Sequence, residues 1–139
     1  MNCTITPYDA RSIDCQQDLW ITNPPYADAV NYHELSDFFL AWYEPDLKRA
    51  FPSWLVDGRK GLTVTGNGVE FKQSMVEIYR NLNNKMPDNG LQMVQFTHQD
   101  PAVWADLGMI LWAAGLHVSS AWTIATETSS GLKKGNYVQ

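Results

Sequence analysis

Apolar and polar positions along this chain change period several times, and the changes mark out the elements. Asp18-Leu19-Trp20-Ile21-Thr22 is a short apolar run that stops at Asn23-Pro24-Pro25-Tyr26. Two consecutive prolines cannot continue a hydrogen-bonded ladder, so the run reads as a buried strand with a sharply defined loop after it. From Asn31 to Tyr43 the period becomes helical: Asn31 is a cap, Glu34 completes a capping box, and Leu35, Phe38, Phe39, Trp42 and Tyr43 share a face. Pro45 is expected to end that helix. Residues 44–73 read as an irregular insert, with a small hairpin over Thr63 to Phe71 around Gly66-Asn67-Gly68.

A second capping box, Ser74 with Glu77, predicts a helix whose buried face carries Met75, Ile78, Leu82 and Met86. Pro87-Asp88-Asn89-Gly90 predicts a turn, and Leu91 to Thr97 a strand. Asp100-Pro101 places a cap before a proline at the first helical position. Trp104, Leu107, Leu111 and Ala114 supply the stripe of that helix, and Gly115 stops it. Trp104, Trp112 and Trp122 are expected in the core. Val118 to Thr128 is rich in strand formers, Gly131 to Gly135 is a loop, and Asn136 to Gln139 is strand-like. Strand, helix, helix, strand, helix, strand implies an α/β fold with a mainly parallel sheet and helices on both faces. Ligands in such folds bind outside the C-terminal ends of the strands, where the Asn-Pro-Pro-Tyr loop falls.

Composition narrows the class. Of 139 residues, 45% are apolar and 18% charged, which suits one packed domain and not a disordered chain. The net charge of -5 argues against a small basic nucleic-acid binder, though not against a local basic cleft. No apolar run approaches the ~20 residues of a membrane span, and Met1 to Tyr8 lack the features of a secretory signal, so a cytoplasmic protein is expected. Cys3 and Cys15 then read as free thiols. His33, His98 and His117 are too scattered for a metal site.

The Asn23-Pro24-Pro25-Tyr26 motif after an apolar strand resembles motif IV of the amino-methyltransferases, which move a methyl group from S-adenosylmethionine to an exocyclic amine. The segment from Asp18 to Tyr43 is similar to that region of the large adenine-specific DNA methylases of bacteria and archaea, some of which carry a zinc-ribbon element. Ser74 to Arg80, Leu91 to Thr97, Trp104 to Thr128 and Gly131 to Val138 resemble later blocks of the same family, in the same order. Four fifths of the chain is covered in this way.

The resemblance implies a chemistry. An exocyclic amine is a poor nucleophile because its lone pair is delocalised into the ring. The Asn23 side-chain oxygen and the Pro24 carbonyl would accept its two hydrogens and aim the lone pair at the methyl group. The prolines pre-organise those acceptors, and Tyr26 would stack on a flipped base. Asp9, alongside Asn23, would face the cofactor, with an exposed turn acid as the alternative. Asp28, Asn31, His33 and His98 would line the substrate pocket. A solvated loop and helix start is the alternative for the first three, with Asn31 as a cap and His33 as a polar surface residue. Lys48, Arg49, Arg59, Lys60, Lys133 and Lys134 read as solvated surface before phosphate contacts. RNA or a protein amide are the other candidate amine donors.

One feature departs from the family. No glycine-rich cofactor loop precedes Asn23, and Gly66-Asn67-Gly68 lacks the strand-to-helix context to replace it. The expectation is therefore a partial Rossmann-like methyltransferase sheet lacking its N-terminal cofactor-binding strands. It would bind S-adenosylmethionine weakly or not at all, and would act on DNA adenine only with a complementing methyltransferase segment. The competing expectation is a non-catalytic α/β module that forms homo-oligomers through an open sheet.

Overall fold

The structure, a computed structural model, describes residues 4–6, 8–25, 32–53, 64, 68–98 and 100–124. Leu19–Thr22 (β1) and Leu91–Val94 (β2) pair in parallel, with Leu19 opposite Leu91 and Thr22 opposite Val94. Backbone bonds from Leu91 N to Asp18 O (2.9 Å) and from Gln95 N to Thr22 O (2.8 Å) extend the ladder at both ends. Between the strands run Tyr32–Ala50 (α1) and Gly68–Asn84 (α2), and Pro101–Ala113 (α3) follows β2. The described part of the chain is thus mixed α/β with a small parallel sheet.

The period-2 alternation of a strand sorts the sheet residues by face. Trp20, Thr22, Gln92 and Val94 point to the side where α2 and α3 pack on each other. The core there is Phe71, Met75, Tyr79 and Leu82 from α2, with Ile110, Leu111 and Ala114 from and just after α3. Burial of each large apolar side chain contributes roughly 1.5–3 kcal/mol, so this cluster holds the layers together. Leu19, Ile21, Leu91 and Met93 point the other way and are 46–63% exposed. The expected second helical layer is not found: no described helix packs on that face.

Other expectations change as well. α2 begins at Gly68, not at the capping box of Ser74, and the hairpin over 63–71 gives way to helix from Gly68 onward. The reason is burial. Phe71 stands one turn before Met75 and extends the buried stripe, and Gly68 (φ 65°) turns the chain into it. α1 runs through Pro45 to Ala50. The bond that Pro45 cannot donate belongs to the carbonyl of Ala41, an exposed residue whose carbonyl can be solvated. Of the expected irregular insert, 44–50 and 68–73 are therefore helical.

Met75 and Leu82 are buried as expected. Ile78 is only half-buried, and Tyr79, not foreseen, is the most buried large side chain. The Pro87–Gly90 turn closes with Gly90 N on Pro87 O at 2.8 Å. Asp100 caps α3 by accepting from Ala102 N at 2.8 Å, and Gly115 (φ 88°) ends it. Residues 118–124 are not a strand, because neither described strand pairs with them, and 125–139 lie outside the described residues. Trp112 and Trp122 are exposed instead of buried. Trp104 sits at the margin of the fold, edge-on to Phe96 with 5.0 Å between ring centroids.

Candidate functional site

Because the strands are parallel, the loops after β1 and β2 leave the same edge of the sheet. Asn23, Pro24 and Pro25 leave β1 there; Phe96 and His98 leave β2. Thr22, the last residue of β1, is tied to α2 by a hydrogen bond between its hydroxyl and that of Tyr79 (3.2 Å). Burial pushes the Tyr79 phenol above its ordinary pKa, and the Thr22 bond opposes the shift. Pro24 is buried, Pro25 half-buried and Asn23 exposed. The loop thus turns its prolines inward and leaves the amide at the surface.

Below the prolines lies a small, open, apolar pocket. Phe71 and Met75 line it from α2, Val103, Leu107 and Ile110 from α3, and Phe96 lines it together with Pro24 and Pro25. Its polar element is an ion pair joining the two helices, Lys72 Nζ to Asp106 Oδ1 at 2.7 Å, both side chains 44% exposed. Of these residues, Phe71 was expected at the end of a hairpin, although its place four residues before Met75 is the signal that puts it on the face of α2. The pairing of Lys72 with Asp106 leaves no signal in sequence.

His98 is fixed by its neighbours. Its Nδ1 accepts from Asp100 N (2.9 Å), which assigns the ring proton to Nε2 in the neutral form. Its carbonyl accepts from Trp104 Nε1 (2.9 Å). His98 therefore stands at the expected edge, although it does not line the pocket. His33 falls in the first turn of α1, and Tyr26, Asp28 and Asn31 lie outside the described residues. Of the basic residues, Lys48 and Arg49 are paired with Glu44 and Asp46 on α1.

Asp9 is elsewhere. It caps a short 3-10 turn, Ala10–Ser12, by accepting from Arg11 N (2.9 Å), and it pairs with the Arg11 guanidinium (2.9 Å). The hydrogen bonds from Arg11 hold its carboxyl below the usual range. Asn81 Nδ2 bonds the carbonyls of Ala10 and Ile13 and anchors this turn to α2. Asn81 stands ten residues beyond Phe71, about 15 Å down the helix at 1.5 Å per residue. Asp9 is thus at the opposite end of α2 from the pocket, and the structure does not bring it to Asn23.

Among the described residues no glycine-rich turn follows β1 or β2, and the Asp9 carboxylate is committed to Arg11. Nor do the described residues include a group of three or more His, Cys, Asp or Glu placed to hold a metal ion. No described helix is long and apolar enough to cross a membrane. Comparison with protein-family models, with curated proteins and with solved structures finds no match.

Proposed function

We propose that this chain is the target-amine half of an S-adenosylmethionine-dependent methyltransferase acting on adenine in DNA, and that a complementing segment supplies the cofactor site. The observation that carries the reading is the placement of Asn23-Pro24-Pro25 at the C-terminal edge of a parallel strand, with the prolines packed inward and the Asn23 amide at the surface. In this reading the Asn23 side-chain oxygen and the Pro24 carbonyl accept the two hydrogens of the exocyclic amine. That orients the nitrogen lone pair and stabilises the positive charge that develops on it. The fixed φ of Pro24 and Pro25, together with their packing over Phe96 and α2, keeps the acceptors in place before substrate arrives. Tyr26 stacks on the base, which must leave the duplex to reach the loop.

The test is reconstitution. The chain, mixed with a segment carrying the glycine-rich cofactor loop, is expected to transfer labelled methyl to adenine in DNA, and Asn23→Ala in the same mixture to abolish transfer. A mixture that binds S-adenosylmethionine yet methylates no nucleic acid overturns the reading.

A further inference from the structure

We infer that two copies of this chain pair reciprocally, each laying the aromatic stripe of α1 across the bare sheet face of the other. Two exposed apolar surfaces, neither covered by another described element, occur on one molecule. One is the flat face of Leu19, Ile21, Leu91 and Met93. The other is the α1 stripe, in which Phe38 stacks edge-on with Phe39 (5.5 Å) and Trp42 (6.4 Å) while all three rings stay more than half exposed.

Parallel strands are normally covered by helices on both faces, and here the described helices cover only one. α1 is the described helix that packs closely on no other element. The four sheet residues and the aromatic rings of the stripe carry no charge, and on the later turns of α1 Glu44 is matched with Lys48 and Asp46 with Arg49. Glu34, one turn before Phe38, is exposed at the end of the stripe, so docking centred on Phe38, Phe39 and Trp42 keeps its carboxylate at the rim of the contact.

The area also fits. With Leu35 and Tyr43 of the same stripe, nine exposed side chains each leave on the order of 100 Å² uncovered, so the two surfaces together offer at most about 900 Å² per copy, beside the ~800 Å² per partner of a standard stable interface. A two-fold exchange uses both surfaces of both copies and closes on itself, leaving neither for further growth.

Sedimentation or light scattering of the full chain at micromolar concentration tests this. The wild type is expected to be a dimer. Ile21→Glu and Phe38→Glu, both at exposed positions that leave the core intact, are each expected to be monomeric. An equimolar mixture of the two variants is expected to recover a dimer, because the intact α1 of one meets the intact sheet face of the other. Leu91→Lys, checked for native circular dichroism, repeats the sheet arm at a second position. A monomeric wild type overturns the inference, including one in which hydrogen exchange shows α1 closed on its own sheet. So does an Ile21→Glu protein that stays dimeric, which would mean α1 pairs with α1, and so does open-ended association.

Discussion

The hydroxyl of Thr22 lies 3.2 Å from that of Tyr79, joining the last residue of β1 to the buried middle of α2. The loop that bears Asn23 starts at the next residue, so this bond sets where the loop leaves the sheet. Tyr79→Phe keeps the ring and removes the bond, and is expected to cost about 1 kcal/mol in urea denaturation. Tyr79→Ala opens a cavity and is expected to cost about 3–5 kcal/mol. The raised phenol pKa gives a sign: folding favours the neutral form. The contribution is complete below the unfolded value of about 10 and is lost as pH rises through the folded value. In an ultraviolet titration of the folded chain, Tyr79 should lose its proton above the ordinary tyrosine range, and Tyr79→Phe should remove that late step.

Gln92 sits opposite Trp20 in the ladder, and its amide nitrogen and oxygen are both buried without a hydrogen-bond partner among the described residues, as is the Trp20 indole nitrogen. An unmade bond of this kind costs about 1–3 kcal/mol. Gln92→Leu is therefore expected to raise stability by about 1 kcal/mol. A loss of stability on denaturation would show that the amide is bonded in solution.

Asp9 is held below its ordinary pKa by its hydrogen bonds to Arg11. Its contribution is present above the unfolded value of about 3.9 and disappears as pH falls through the lower folded value. Asp9→Asn is expected to flatten the acid arm of the stability profile and to cost about 1 kcal/mol at neutral pH, where the cap of the 3-10 turn is also weakened. Equal acid sensitivity in the variant would remove Asp9 as its source.

Asp100 accepts from Ala102 N and Pro101 follows it, so the start of α3 depends on one side chain. Asp100→Ala is expected to cost about 1 kcal/mol, with early hydrogen exchange confined to the first turn of α3.

Asn23 is exposed and Pro24 is buried. Asn23→Ala should leave stability within about 0.5 kcal/mol of wild type, so that a loss of methyl transfer in the reconstituted mixture reports chemistry and not unfolding. Pro24→Gly should destabilise measurably, because it frees the loop and empties part of the pocket wall.

The parts of the fold legible in sequence are those set by short-range chemistry. Asp100-Pro101, the Pro87–Gly90 turn and the Pro24-Pro25 stop each need only their neighbours, and each stands where the residues place it. Long-range packing decided the rest. Phe71 drew α2 back past the capping box of Ser74. Pro45 failed to stop α1 because the bond it cannot make belongs to an exposed turn. Trp112 and Trp122 had the composition of core residues and no layer to enter. At the candidate site, the edge position of Asn23 and His98 followed from strand order alone. The Lys72–Asp106 pair and the separation of Asp9 depend on how α2 lies against its neighbours, which no local pattern encodes.

The ladder between β1 and β2 has a kinetic consequence. Leu19 meets Leu91 only after two helices have been traversed, whereas the turns of α2 and α3 need partners three or four residues away. Closing so long a loop costs chain entropy before any strand bond is made, so the helices form first and the ladder last. The shelf carrying Asn23 and Pro24 is then the latest part of the molecule to assemble during refolding.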